Sequence, residues 1–234
     1  MVDETRENEW FVPKKLGPAR FRRLIGLTFY PYSLMNASYV LIGSLLAPSV
    51  HYDRMLGMAL VYLLAVGVAA HSLDAMGPNK PWGSVLSRRQ LLILALAGLI
   101  PALGLGLYYA VMFAPALLPL GLVELFFLLS YNFELFSGRF HTDFWFAVSW
   151  GFLPVLAGFM VQTNGLSWAS LVAGLFGFTT AFVEINASRP YKALKKSTAG
   201  DSSQVAERLE AILKGIVTTV FAAVGFLLLH SVFG

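Results

Sequence analysis

Apolar runs separated by short polar breaks organise this chain. The runs fall at about 25–48, 54–74, 89–111, 115–135, 143–162, 167–187 and 211–233. Each approaches the 20 or so residues that an α-helix needs to cross a hydrocarbon layer. None alternates polar and apolar positions as a barrel strand would. The pattern therefore predicts an all-α fold, a polytopic transmembrane bundle of about seven helices. The third and fourth runs are separated only by a short turn that contains Pro115.

The breaks are less uniform than the runs. The longest early one begins inside AAHSLDAMGPNKPWGSVLSRRQL, residues 69 to 91. Its tail predicts a helix start, with Ser87 as N-cap and Gln90 as its reciprocal partner. Arg88 and Arg89 then read as interfacial anchors. Its head, AAHSLDAMGPNK, carries more chemistry than a turn requires. The stretch KKSTAGDSSQVAERLEAILKG reads as a flexible link, with VAERLEAILKG opening the last helix. Residues 1–24 read as a polar, interfacial arm, in which Trp10 and Phe11 suit the headgroup region. Residues 25–234 read as a single transmembrane domain.

Composition strengthens this picture. Hydrophobic residues make up 57% and charged residues 13%, against roughly 25% charged in soluble domains. The mean hydropathy is +0.67. Charge also orients the chain. With the N-terminus cytoplasmic, 16 of the 17 Lys and Arg fall in inner segments and only Arg54 falls outside. That is the positive-inside pattern of a multi-pass protein of the cell membrane. The net charge of +4 thus reads as topology, and no nucleic-acid partner is expected. The mixed polar start lacks the apolar core of a secretory signal. The absence of cysteine excludes disulfides, thiolate metal sites and cysteine nucleophiles.

Ionisable residues at membrane depth are costly and mark function. His71 and Asp74 end the second helix and Glu134 the fourth. His141 and Asp143 open the fifth, and Glu184 and Asn186 end the sixth. All lie on the inner side, which predicts a cavity open to the cytoplasm. His71 and Asp74 share a helix face at i, i+3. They form either a structural pair or ligands to a divalent ion. His141 and Asp143 serve either a site or the cap of the fifth helix. Glu124 and Tyr131 share a face of the fourth helix, and Glu124 reads as a buried acid bonded to a neighbouring helix. Lys80, Arg88, Arg139, Arg189 and Lys192 sit just outside the acids. The layering suits an anionic head group with a greasy tail below.

HSLDAMGPNKPWGSVLSRRQL after the second helix resembles the first Asp-rich loop of the UbiA superfamily of intramembrane prenyltransferases. YPYSLMNASYVLIGSLLA is similar to that family's opening segment. LLSYNFELFSGR through WGFLPVLAGFMVQTNGLSWASL resembles the region between its fourth and sixth helices, and FVEINASRPYKALKK falls where its second Asp-rich motif lies. The resemblance spans residues 20 to 196. It implies transfer of an isoprenyl group from a diphosphate held by Mg²⁺. Asp74 and Glu184 would hold the ion, and His71 and Tyr131 would complete the catalytic set. Asn79, Lys80, Asn132, Arg139, Asn186, Arg189 and Lys192 would bind substrate. The first motif keeps one carboxylate, Asp74, and the second keeps Glu184 and Asn186. The chain also has fewer helices than the family usually has.

Three functions are therefore expected in competition. One is a divergent prenyltransferase or isoprenoid-processing membrane enzyme. The second is a non-catalytic binder of an isoprenoid or quinone-type lipid, or a subunit of a membrane complex. The third is a transition-metal site drawn from His71, Asp74, Glu134, His141, Asp143 and Glu184, because imidazole favours such metals over Mg²⁺.

Overall fold

The computed structural model describes residues 9–12, 17–76, 86–196 and 202–234. Regular structure among them is helical throughout. In chain order the helices are α1 (Ala19–Thr28), α2 (Tyr30–Leu45), α3 (Tyr52–Asp74), α4 (Arg88–Met112), α5 (Leu117–Asn132), α6 (Asp143–Thr163), α7 (Trp168–Lys196) and α8 (Ser202–Phe233). Helices α3, α4, α6, α7 and α8 are long and apolar enough to cross a membrane, and α5 is a shorter apolar helix. The chain is a helical membrane protein.

Helix α2 is the buried axis. All but Tyr30, Leu34 and Leu41 of its 16 residues are buried. It packs on α3, α6, α7 and α8. The contact with α6 is the tightest, and glycine explains it. A Cβ at Gly43 of α2 would overlap the backbone of Val155 and Phe159, and one at Gly158 of α6 would overlap the backbone of Val40. Missing side chains let the two backbones touch, which is how helices associate where no water drives them together. Ser44 Oγ donates to the Gly158 carbonyl across the same seam at 2.8 Å.

Two stretches wind more widely than an α-helix. Leu63–Ala70 in α3 and Val148–Phe152 in α6 are π-helical, a winding found often at functional sites. Helix α4, by contrast, runs unbroken through Pro101. The Gly- and Pro-rich run LAGLIPALGLGLYY is therefore not a broken helix.

Several expected boundaries move. The first run divides at Phe29, whose φ of 45° is left-handed, and Pro31 restarts the chain in the first turn of α2. The sixth run does not end near 187 but continues to Lys196, while α8 begins at Ser202, just ahead of the VAERLEAILKG stretch expected to open it. An apolar criterion stops at charges, whereas Ala, Leu, Glu, Arg and Lys sustain a helix well past them. Inward positions support the extension, since Tyr191 is 2% and Leu213 0% exposed.

Residues 9–12 fold onto the bundle. Phe11 and Val12 are buried among residues of α2, α7 and α8. Phe11 packs against Phe29 and Tyr32 at 5.8 and 6.1 Å. Phe11 thus packs into the protein interior.

Gly158→Val should destabilise the detergent-solubilised protein by roughly 1–3 kcal/mol or more, through overpacking. Gly104→Ala, where nothing lies within 4 Å, should leave the thermal midpoint unchanged. Equal midpoints for both variants would contradict the tight α2–α6 seam.

Candidate functional site

A cavity of about 1220 Å³ opens between α3, α4, α5 and α6, with the start of α2 and the last turns of α7 closing one end. That end is polar. His71 and Asp74 reach it from the end of α3 and Arg88 from the start of α4. Tyr131, Asn132, Glu134 and His141 reach it from the end of α5 and the loop that follows, and Glu184, Arg189 and Lys192 from α7. Away from it the walls are Met58, Val61, Leu99, Leu103, Leu107, Leu117 and Leu125. Tyr62 and Glu124 are the polar exceptions at depth, and Tyr62 Oη donates to Glu124 Oε1 at 2.8 Å. Glu124 is thus bonded to a neighbouring helix, as expected.

Helical spacing explains the selection. His71 and Asp74 are three apart and meet the cavity together. Glu184 and Lys192 are eight apart, two turns along one face. Asn186 is two residues from Glu184, which is over half a turn away. It is exposed, and its Nδ2 donates back to the Phe182 carbonyl at 2.8 Å.

Aromatic rings brace the polar end. Phe29 stacks on His71 with centroids 4.8 Å apart, and Trp150 meets His71 edge-on at 5.7 Å. Phe146 stacks on Trp150 at 4.9 Å. Lys192 Nζ lies 5.0 Å from the Phe29 centroid. Tyr131 stacks on His141 at 4.2 Å. The Tyr131 carbonyl lies 3.0 Å from His141 Nδ1. A carbonyl can only accept, so Nδ1 is the donor in this contact.

Charges are partly committed. Arg189 Nη1 pairs with Asp143 Oδ1 at 2.8 Å, and its Nη2 reaches Tyr131 Oη at 3.5 Å. Thr142, not His141 or Asp143, caps α6 by accepting from Trp145 N at 3.3 Å. Glu184 is 4% exposed, and its Oε2 is buried without a hydrogen-bond donor. That orphaned oxygen lies in a side chain lining the cavity.

The expected site residues divide accordingly. Asp74, His71, Glu184, Tyr131, Asn132, Glu134, His141, Arg189 and Lys192 line the cavity. Asp143 touches it only through Arg189. Arg139 is exposed in the 133–142 loop and Asn186 faces away. Asn79 and Lys80 lie outside the described residues. Among the described residues no three His, Asp or Glu side chains gather closely enough to hold a metal. The Ser87–Gln90 capping box forms as expected, yet Arg88, read as an anchor, also lines the cavity. Phe29, Tyr32, Phe146, Trp150 and Tyr62 were not singled out. In a chain with 19 Phe, 9 Tyr and 5 Trp, an aromatic at a given position carries no signal of its own.

Comparison with family models, with curated proteins and with solved structures returns no match for this chain.

The loop from Phe133 to Thr142, whose Phe133, Glu134 and His141 line the cavity, is tied down by the Tyr131–His141 stack and the Asp143–Arg189 pair. Its backbone is left-handed at Glu134, Phe136 and Ser137. The ion pair is partly exposed, 42% and 29%, and such pairs contribute under about 1 kcal/mol. Asp143→Ala should therefore barely change the thermal midpoint while speeding limited proteolysis within 133–142 several-fold. Unchanged cleavage would show that the pair does not restrain the loop.

Proposed function

We propose that the chain is a divergent, UbiA-type integral membrane prenyltransferase or isoprenoid-processing enzyme. The observation that carries the reading is the division of the cavity described above into a polar end and an apolar channel. Carboxylates and three cations, Arg88, Arg189 and Lys192, share one end, and an apolar channel between helices leads away from it. An isoprenyl diphosphate has the same division between an anionic head and a hydrocarbon tail.

Transfer begins when the allylic carbon–oxygen bond breaks and its electron pair leaves with the diphosphate. Positive charge fixed at the leaving group lowers that barrier, a role for Arg88, Arg189 and Lys192. The allylic cation is then captured by an electron pair of the acceptor, which loses a proton to His71. The aromatic faces of Phe29 and Trp150 shield the centre from water and favour its charge. The products are the prenylated acceptor, diphosphate and a protonated His71.

Asp74 and Glu184 fit a magnesium ion to the extent that two carboxylates can. Glu184 Oε2 is a buried oxygen without a donor, and Mg²⁺ characteristically uses one or two carboxylates with substrate phosphates and water. When bound there, magnesium would neutralise charge on the diphosphate.

A second reading has its own support. The first motif keeps a single carboxylate, Asp74, as suits a non-catalytic relative that keeps the cavity to bind an isoprenoid or quinone-type lipid, alone or as a subunit of a membrane complex. The transition-metal alternative lacks comparable support, since Asp143 pairs with Arg189 and would have to leave that cation to act as a ligand.

The charge asymmetry supports a multi-pass chain with the site facing the cytoplasm.

Incubating the purified protein with Mg²⁺, labelled prenyl diphosphates and a panel of aromatic and lipid acceptors should release diphosphate. Asp74→Asn and Glu184→Gln should each slow release by roughly a hundredfold or more. Retained lipid without turnover would favour the non-catalytic reading, and neither binding nor turnover would overturn both. Because the chain has no cysteine, orientation can be read by single substitutions. Leu166→Cys should react with an impermeant maleimide on intact cells and Ser137→Cys should not; the opposite pattern would invert the topology.

A further inference from the structure

We infer that the deep end of the cavity is a second polar subsite, formed by Tyr62 and Glu124, which takes a hydroxyl group borne on the hydrocarbon chain of the bound lipid. The inference rests on the lipid reading above and adds a specificity that an apolar tunnel would lack.

Tyr62 belongs to α3 and Glu124 to α5, and both line the cavity. Their neighbours on its wall are Met58, Val61, Leu120 and Leu125, so the pair is a polar point in an otherwise apolar stretch of wall. Tyr62 is 8% exposed, and its hydroxyl proton goes to Glu124 Oε1. Among the described residues this is the hydrogen bond that engages the carboxyl, and Oε2 is left for a ligand. A carboxyl at hydrocarbon depth is expensive and marks a substrate or ion path more often than a structural joint. Joining two helices is done at lower cost by Ser, Thr, Asn or Gln, as Ser44 does between α2 and α6.

The ligand group follows from the donor inventory. A carboxylate only accepts, whereas a carboxylic acid also donates. A hydroxyl satisfies either form, while an ether or ketone could meet only the acid. Its position on the chain follows from helix rise. Glu124 lies 8 residues before Asn132 along the regular helix α5. At 1.5 Å per residue the hydroxyl would sit roughly 12 Å from the polar end. The expected ligand class is therefore an anionic-headed lipid hydroxylated far along or at the end of its chain.

The test uses the full chain in detergent and two non-hydrolysable probes, farnesyl thiolodiphosphate and its ω-hydroxylated counterpart. The hydroxylated probe should bind roughly tenfold tighter, the worth of one hydrogen bond to a buried polar group. Glu124→Leu should remove that preference. Tyr62→Phe should weaken it by releasing the carboxyl from its orientation. Equal affinity of the two probes for the native protein would overturn the subsite while leaving the lipid reading intact, and this comparison needs no variant. A preference that survives Glu124→Leu, or Glu124→Met should the leucine variant fail to fold, would also overturn it. Binding of neither probe would overturn the lipid reading together with the subsite.

Discussion

The contact on which the rest depends is the one between the backbones of α2 and α6. Gly43 and Gly158 bring them together with no side chain between, and Ser44 closes the seam with a hydrogen bond. In hydrocarbon there is no water to expel, so close packing and internal hydrogen bonds must do what the hydrophobic effect does elsewhere. A second approach of the same kind, Gly151 against Gly177, draws α7 onto α6. The three helices form a rigid plank against which the looser side of the molecule is arranged.

The polar end of the cavity inherits its geometry from that plank. Asn36 of α2 is fully buried, and its Nδ2 donates to the Trp150 carbonyl at 2.7 Å. Trp150 lies in the π-helical turn of α6, where regular backbone bonding is disturbed, and Asn36 offers that carbonyl a donor. The indole then meets His71, which stacks on Phe29 at the head of α2. The path starts and ends on the same helix. On the far side α5 is held mainly by α4 and α6, and the space it leaves toward α3 is the cavity.

Much of this was legible in the residues. Hydropathy located nearly every helix because a lipid-facing helix must be apolar along its length, and the SRRQ start was readable because a capping box is a local, four-residue event. His71 with Asp74 and Glu184 with Lys192 were accessible through helical spacing alone. The Phe29 break was hidden inside an apolar run, since hydropathy does not register a left-handed residue. The extension of α7 past its charges was hidden for the reverse reason, whereas VAERLEAILKG was read as opening α8. Asn186 matched a motif position, yet spacing from Glu184 already turned it away. The Tyr62–Glu124 pair joins residues 62 positions apart, a relation no local pattern contains.

The packing of residues 9–12 has a consequence for the order in which the molecule is assembled. Those residues emerge from the ribosome well before α7 and α8, yet they are buried in a cluster to which both helices contribute. Helix α2 is in the same position. It enters the bilayer early while carrying Ser33, Asn36, Ser38 and Ser44, all buried in the finished protein, and its glycine seam waits for α6. The earliest part of the chain must therefore persist in the membrane as an unfinished surface, its polar side chains bonded locally or to water, until the later helices arrive. Biogenesis runs from the outside of the bundle's connectivity toward its centre, and the axis of the structure is the last piece to be locked.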